Sequence, residues 1–99
     1  MKAYVGQREG HACVVTVNNA PLNPRLDLWN HSPSGFEWGY GGSGPAQLAL
    51  ALLADHFNND ERALNLYQKF KWAVVARWSR ASAWSLTSAD IEQALAALV

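Results

Sequence analysis

The sequence predicts an α+β fold in which a small antiparallel sheet, an N-terminal hairpin plus one or two short strands, packs against about three helices. Three observations predict it. β-forming segments gather near the N-terminus, an almost wholly apolar run follows a glycine-rich turn at Gly44, and two later stretches repeat apolar residues at three- and four-residue steps. With 99 residues, 49% of them hydrophobic and 16% charged, the chain is expected to form a single domain with one core.

Ala3–Gln7 and Ala12–Asn18 are rich in β-formers and flank "REG", whose Gly10 can supply the positive φ of a short hairpin loop. "NNAPLNPR" combines two asparagines with Pro21 and Pro24, which remove backbone donors, so it reads as a connection where the sheet pauses. Alternation in "RLDLW", Arg25 to Trp29, and in "FEWGY", Phe36 to Tyr40, predicts one or two further short strands. Pro45 suits the first position of a helix, where its missing N–H has no intrahelical partner, and Ser43 or Gly44 would cap it. The residues that follow leave only Gln47 polar as far as Ala54, which predicts the buried central helix. "HFNND" closes it, with Asn59 or Asp60 capping the next helix.

That second helix is expected from Glu61 to about Trp78, because Ala63, Leu66, Tyr67, Phe70, Ala73, Val74 and Trp78 fall on one stripe. "AWSL" is a short extended piece. Thr87 with Asp90 then forms a capping-box start to a last helix, Ser88–Leu98, whose inner face is Ile91, Ala94, Leu95 and Leu98.

The glycine-rich motif Trp38, Gly39, Tyr40, Gly41, Gly42, Ser43, Gly44 and Pro45 precedes a helix, where free N–H groups and the helix dipole favour anions. It lacks the lysine and hydroxyl of a P-loop and the glycine spacing of a dinucleotide site, so it reads as the structural lead into a buried helix. His11, His31 and His56 fall on different elements without ligand spacing, and no metal or cofactor is expected. His31 lies near Asp27 and could pair with Ser32, Ser34 or Ser43, although no nucleophile signature accompanies it. Glu37 is either a solvated strand residue or a buried carboxylate near the glycines, and alternation favours the first. Cys13 is the only cysteine, sits in a strand pattern, and suits a reducing cytosol. The N-terminus lacks the apolar core of a signal peptide and the longest apolar run, Leu48–Ala54, is too short to span a bilayer, so a cytoplasmic protein is expected.

Eight Lys and Arg balance eight Asp and Glu, which argues against bulk phosphate neutralisation. Lys69, Lys71, Arg77 and Arg80 lie on or just after the second helix with Trp72, Trp78 and Trp84 interleaved, which keeps weak nucleic-acid binding through Lys69–Trp84 as an alternative. Arg77 falls on the apolar stripe, at its rim or paired with a carboxylate. Opposite that stripe lie Asn65, Gln68, Lys69 and Trp72, with Val75 near the edge. An outward Trp72 calls for a cover: a second copy of the chain, a host partner, or a part of the same fold such as the proline-rich connection.

"GFEWGYGGSGPAQLALALLAD", "LYQKFKWAVVA" and "WSLTSADIEQAL" together resemble a small family of uncharacterised proteins from bacteria, their phages and plasmids, a domain of unknown function. The resemblance covers about Ser34–Leu98, rests on the WGYGGSGPAQLALALL core, and carries no catalytic residues. It implies a cytosolic accessory protein of mobile elements, a class that includes inhibitors of host defence. The expectation is a non-catalytic protein-binding module, a candidate anti-CRISPR acting by occlusion, with Trp72, Lys69, Gln68, Val75 and Arg80 facing a protein partner or a second copy. An enzyme built on the glycine loop is the third choice.

Overall fold

In a computed structural model, which describes residues 2–98, the elements run β1 (Ala3–Glu9), β2 (Ala12–Val17), β3 (Ala20–Pro21), α1 (Ser43–Phe57), α2 (Asp60–Ala73), a 3-10 turn (Val75–Arg77), β4 (Trp84–Thr87) and α3 (Ser88–Ala96). The α+β class is as expected. All strand pairs are antiparallel and the sheet order is β3-β2-β1-β4.

The first hairpin pairs Glu9 with Ala12 across a two-residue loop led by Gly10 at φ +65°. The sheet does not pause after it. Asn18 and Asn19 take φ values of 49° and 69°, the two left-handed positions of a type I′ turn, and fold Ala20–Pro21 back onto β2 as an edge strand. Proline is tolerated there because an edge strand need not donate on its open side. The expected strands at Arg25–Trp29 and Phe36–Tyr40 are absent. Arg25 sits at φ +55° in a turn closed by Leu28 N–H on the Arg25 carbonyl, and Gly39 sits at φ +88°. These positive φ values interrupt the extended runs, and the place beside β1 is filled by β2 and β4. The fourth strand is "WSLT", which returns from far along the chain to pair Gly6 with Trp84 and Ala3 with Thr87.

The connection between β3 and α1 is held by a side chain instead of a ladder. Gln47, fully buried on α1, accepts from the backbone N–H groups of His31 (2.8 Å) and Ser32 (3.1 Å) and donates to the Pro24 carbonyl (2.6 Å). The single polar residue of the stretch from Gly44 to Ala54 thereby satisfies three backbone groups of an irregular loop. Every residue of α1 from Gly44 to Ala54 is buried, as its all-round apolar composition demands. The helix begins two residues before Pro45, with Gly42 as its cap and no side-chain capping bond, so Ser43 and Gly44 are helical residues and not caps. Pro45 still lies in the first turn, where its missing donor costs nothing.

Asn58 closes α1 in the left-handed conformation at φ 51°, and the Asn59 side chain accepts from Arg62 N–H to cap α2. The second helix stops at Ala73, short of the expected Trp78. Val74 leaves helical space (φ −126°, ψ −67°), the β-branched pair Val74–Val75 turns inward, and Gly39 N–H bonds the Val75 carbonyl at 3.0 Å. Trp78 then runs extended and stacks on Trp84, with ring centroids 4.4 Å apart. The capping box of α3 is complete, Thr87 and Asp90 each bonding the other's backbone N–H, and Ile91 and Leu95 enter the core.

Candidate functional site

The glycine-rich motif is packed at each step. Gly39 lies against the backbone of Arg80, whose N is 2.8 Å from where a Cβ would be; Gly41 receives the ring edge of Trp72; Gly42 lies under the Tyr40 ring; and Gly44 abuts the Cβ of Glu37. The motif is therefore a close-packed lead into α1. Beside it, an open cleft of about 490 Å³ runs from His11–Cys13 across Ser32–Glu37 to Ser43 and Gly44.

The charged groups of that cleft are occupied with one another. Arg8 holds Glu37 through two bonds of 2.8 and 3.1 Å, donates to the Arg80 carbonyl, and lays its guanidinium 4.6 Å from the Trp38 ring centre. Glu37 is thus a half-buried carboxylate beside the glycines, not the solvated strand residue that alternation favours. Its bonds from Arg8, assisted by Trp38 N–H, hold its pKa down at about 2. Burial, followed by the Glu37 charge, pushes the Cys13 thiol up and keeps it protonated. His31 does not meet Asp27 or a serine: its Nε2 bonds Tyr67 Oη at 2.8 Å, Asp27 pairs with Arg25, and Ser32 Oγ donates to the Gly35 carbonyl. Burial and the Lys71 charge lower the His31 pKa. Among the described residues no group of His, Cys, Asp and Glu could hold a metal ion, and no helix is long and apolar enough to cross a membrane.

A band of aromatic and cationic groups lies along α2, its exposed rings Trp29 and Trp72 separated by the buried Tyr67 and Lys71. Trp29, 58% exposed, stacks on His31 (5.8 Å, 29°); His31 bonds Tyr67; Lys71 sets its Nζ 4.4 Å over the Trp72 ring; Trp72, also 58% exposed, rests on Gly41; and Arg80 lies 4.6 Å over Tyr40. Of the residues expected to face a partner, Trp72, Lys69, Gln68 and Arg80 are exposed around this band. Val75 is not: it is fully buried in the 3-10 turn, because α2 has already ended and its outward register is lost. Lys71 is corrected too, since it is buried with its ammonium over Trp72 and is no freely solvated cation. Trp72 is partly seated by its own chain, on the glycine run and not on the proline-rich connection.

The sequence reading missed Trp29 and His31 as neighbours of Tyr67, which is buried as its stripe predicts. Only the fold brings the Trp29–His31 loop against α2. It also missed a charge signal that was present in the chain: between Glu61 and Asp90 stand five cations, Arg62, Lys69, Lys71, Arg77 and Arg80, and no carboxylate. The remaining residues carry three cations against eight carboxylates. Those three, Lys2, Arg8 and Arg25, are all ion-paired, whereas among the described residues none of the five is. Neutrality overall thus conceals two regions of opposite sign.

A model of a family of unknown function (DUF6166) matches residues 4–97, a span that includes the N-terminal hairpin as well as the Ser34–Leu98 region of the sequence resemblance. No curated protein and no solved structure matches the chain.

Proposed function

The chain belongs to the family of unknown function DUF6166, and we propose that it works as a protein-binding module whose partner seats on the aromatic band across α2. The observation that carries this reading is the pair of tryptophans at 58% exposure, Trp29 stacked on the His31 that bonds Tyr67 of α2, and Trp72 of α2 under the Lys71 ammonium. Exposed indoles add little to folding, and tryptophan, tyrosine and arginine dominate interface hot spots. The rings already rest on stacking, hydrogen-bond and cation–π contacts of their own chain, which favour one orientation before docking and lower its side-chain entropy cost. In the neighbouring cleft the one carboxylate, Glu37, is held by Arg8 and the one thiol, Cys13, stays protonated, which favours recognition over chemistry there. A mobile-element setting, as the sequence resemblance implies, makes a host defence complex the partner to try first, with occlusion as the mode of action.

The test is capture of a host protein, identified by mass spectrometry, by the wild type, Trp72→Ala and Trp29→Ala. Both substitutions should change folding stability by less than about 1 kcal/mol, since each ring is more than half exposed, and should abolish capture. A cooperative melt shifted strongly downward by Trp72→Ala, or capture untouched by both changes, would overturn the reading.

A further inference from the structure

We propose that the aromatic band takes an acidic protein segment, one that presents carboxylates around apolar or aromatic anchors. This rests on the band being the partner-facing surface, and it adds the partner's chemistry. The argument is charge complementarity. Lys69, Arg77 and Arg80 are exposed at the Trp72 end of the band, and none is paired with a carboxylate among the described residues. Arg77 bonds the Trp72 backbone carbonyl through its Nε at 3.4 Å, and Arg80 lies over Tyr40, so one guanidinium is held against an exposed ring and another sits near the Trp72 backbone. Lys71 is buried with its ammonium on Trp72 and adds a positive charge from beneath. A surface that is cationic, aromatic and without its own carboxylates repels basic partners and pairs with acidic ones.

The same charge map favours a compact acidic segment over nucleic acid. A strand longer than the band would run onto the rest of the chain, where eight carboxylates face three cations that are already paired. Each ring also has one face taken by the chain itself: His31 lies on Trp29, Lys71 on Trp72 and Arg80 on Tyr40. Successive bases need free faces along a continuous cationic track. A folded or helical acidic segment needs only the band.

The experiment uses a short fluorescein-labelled peptide that alternates glutamate with leucine and tryptophan, its lysine-for-glutamate counterpart, and an oligothymidylate of equal charge, each titrated by anisotropy against the full chain. The acidic peptide should bind, should weaken several-fold from low to physiological salt, and should lose at least about tenfold in affinity with Lys69→Glu, Arg77→Glu and Arg80→Glu combined. The combined Gln variant, with a melting curve for each protein, covers the case in which charge reversal disturbs folding, and should show a smaller loss in the same direction. Trp72→Ala should also weaken binding. No binding of the acidic peptide, equal binding of the lysine peptide, or binding indifferent to all three charges overturns the acidic partner. If binding survives charge reversal and is lost in Trp72→Ala, the band stands and its acidic partner falls; if Trp72→Ala changes nothing, the band itself falls. Tighter binding of the oligothymidylate, lost on charge reversal, overturns the proposal in favour of nucleic acid.

Discussion

The five tryptophans divide into two groups that obey different rules. Trp38, Trp78 and Trp84 form an inner cluster in which Trp38 is fully buried, meets Trp84 edge to face at 5.7 Å, and donates Nε1–H to the Ser82 carbonyl at 3.0 Å. Trp84 lies flat against Gly6 of β1, and Trp78 stacks on it from the other side. Trp29 and Trp72 stay more than half exposed and touch cations, a histidine and a glycine instead of one another. The inner rings hold the returning β4 and the 3-10 turn to the hairpin, so their contacts close the fold. The outer rings close nothing, which is why they are free to serve another surface.

Breaking the inner cluster should have the largest effect. Trp38→Ala removes a fully buried ring and its hydrogen bond, and should cost about 3–5 kcal/mol in chemical denaturation, enough to leave so small a domain partly unfolded. Gly6→Ala comes next. Its Cβ would come within 2.2 Å of the Trp84 ring, which is held in place by stacking on Trp78, so overpacking of about 1–3 kcal/mol is expected in the same measurement. A cost near zero for either would mean that the inner cluster is not what holds β4.

The Arg8–Glu37 pair joins the two regions, since Arg8 covers the Trp38 ring and bonds the Arg80 carbonyl. Glu37 titrates at about 2 in the folded chain against 4.5 ordinarily, so its contribution is complete above about pH 4.5 and is lost as the pH falls towards 2. Thermal melts between neutral pH and about pH 3 should therefore show an acid limb that Glu37→Gln flattens. The pair is about a third exposed, which keeps the effect moderate. Gly41→Ala should have the smallest effect on stability. Its Cβ would strike Trp72 as squarely as the Gly6 Cβ strikes Trp84, yet the outer ring can swing into solvent, so less than about 0.5 kcal/mol is expected, with a shifted tryptophan emission reporting the movement. Equal costs at Gly6 and Gly41 would erase the distinction between the two groups.

Local signals in the chain were enough for the hairpin at Gly10, the all-round apolar α1, the asparagine junction between α1 and α2, and the capping box of α3. Each depends on residues within a few positions of one another, where backbone sterics and short-range hydrogen bonds decide. The Asn18–Asn19 turn was equally local, and its left-handed pair was legible to a reader who weighed asparagine as a type I′ residue over proline as a terminator. The charge gap between Glu61 and Asp90 was likewise on the page of the sequence. What composition could not decide was partnership across distance. Alternation at Arg25–Trp29 and Phe36–Tyr40 is compatible with strands, but positive φ at Arg25 and Gly39 breaks both runs, and β4, arriving from more than sixty residues beyond β1, takes the place that β2 leaves beside it. Helical periodicity through Val75 placed that residue outward, and a tertiary bond from Gly39 ended the helix and turned it in. Trp29 came to lie beside α2 only when Gln47 pinned the loop before α1 and His31 met Tyr67. The sequence by itself determined the helices, the first hairpin and, through the stripe of α2, the outward Trp72; the tertiary structure alone decided that Trp29 stays outside while Trp38 and Trp84 go in, because burial of a loop or strand residue depends on neighbours that no local pattern records.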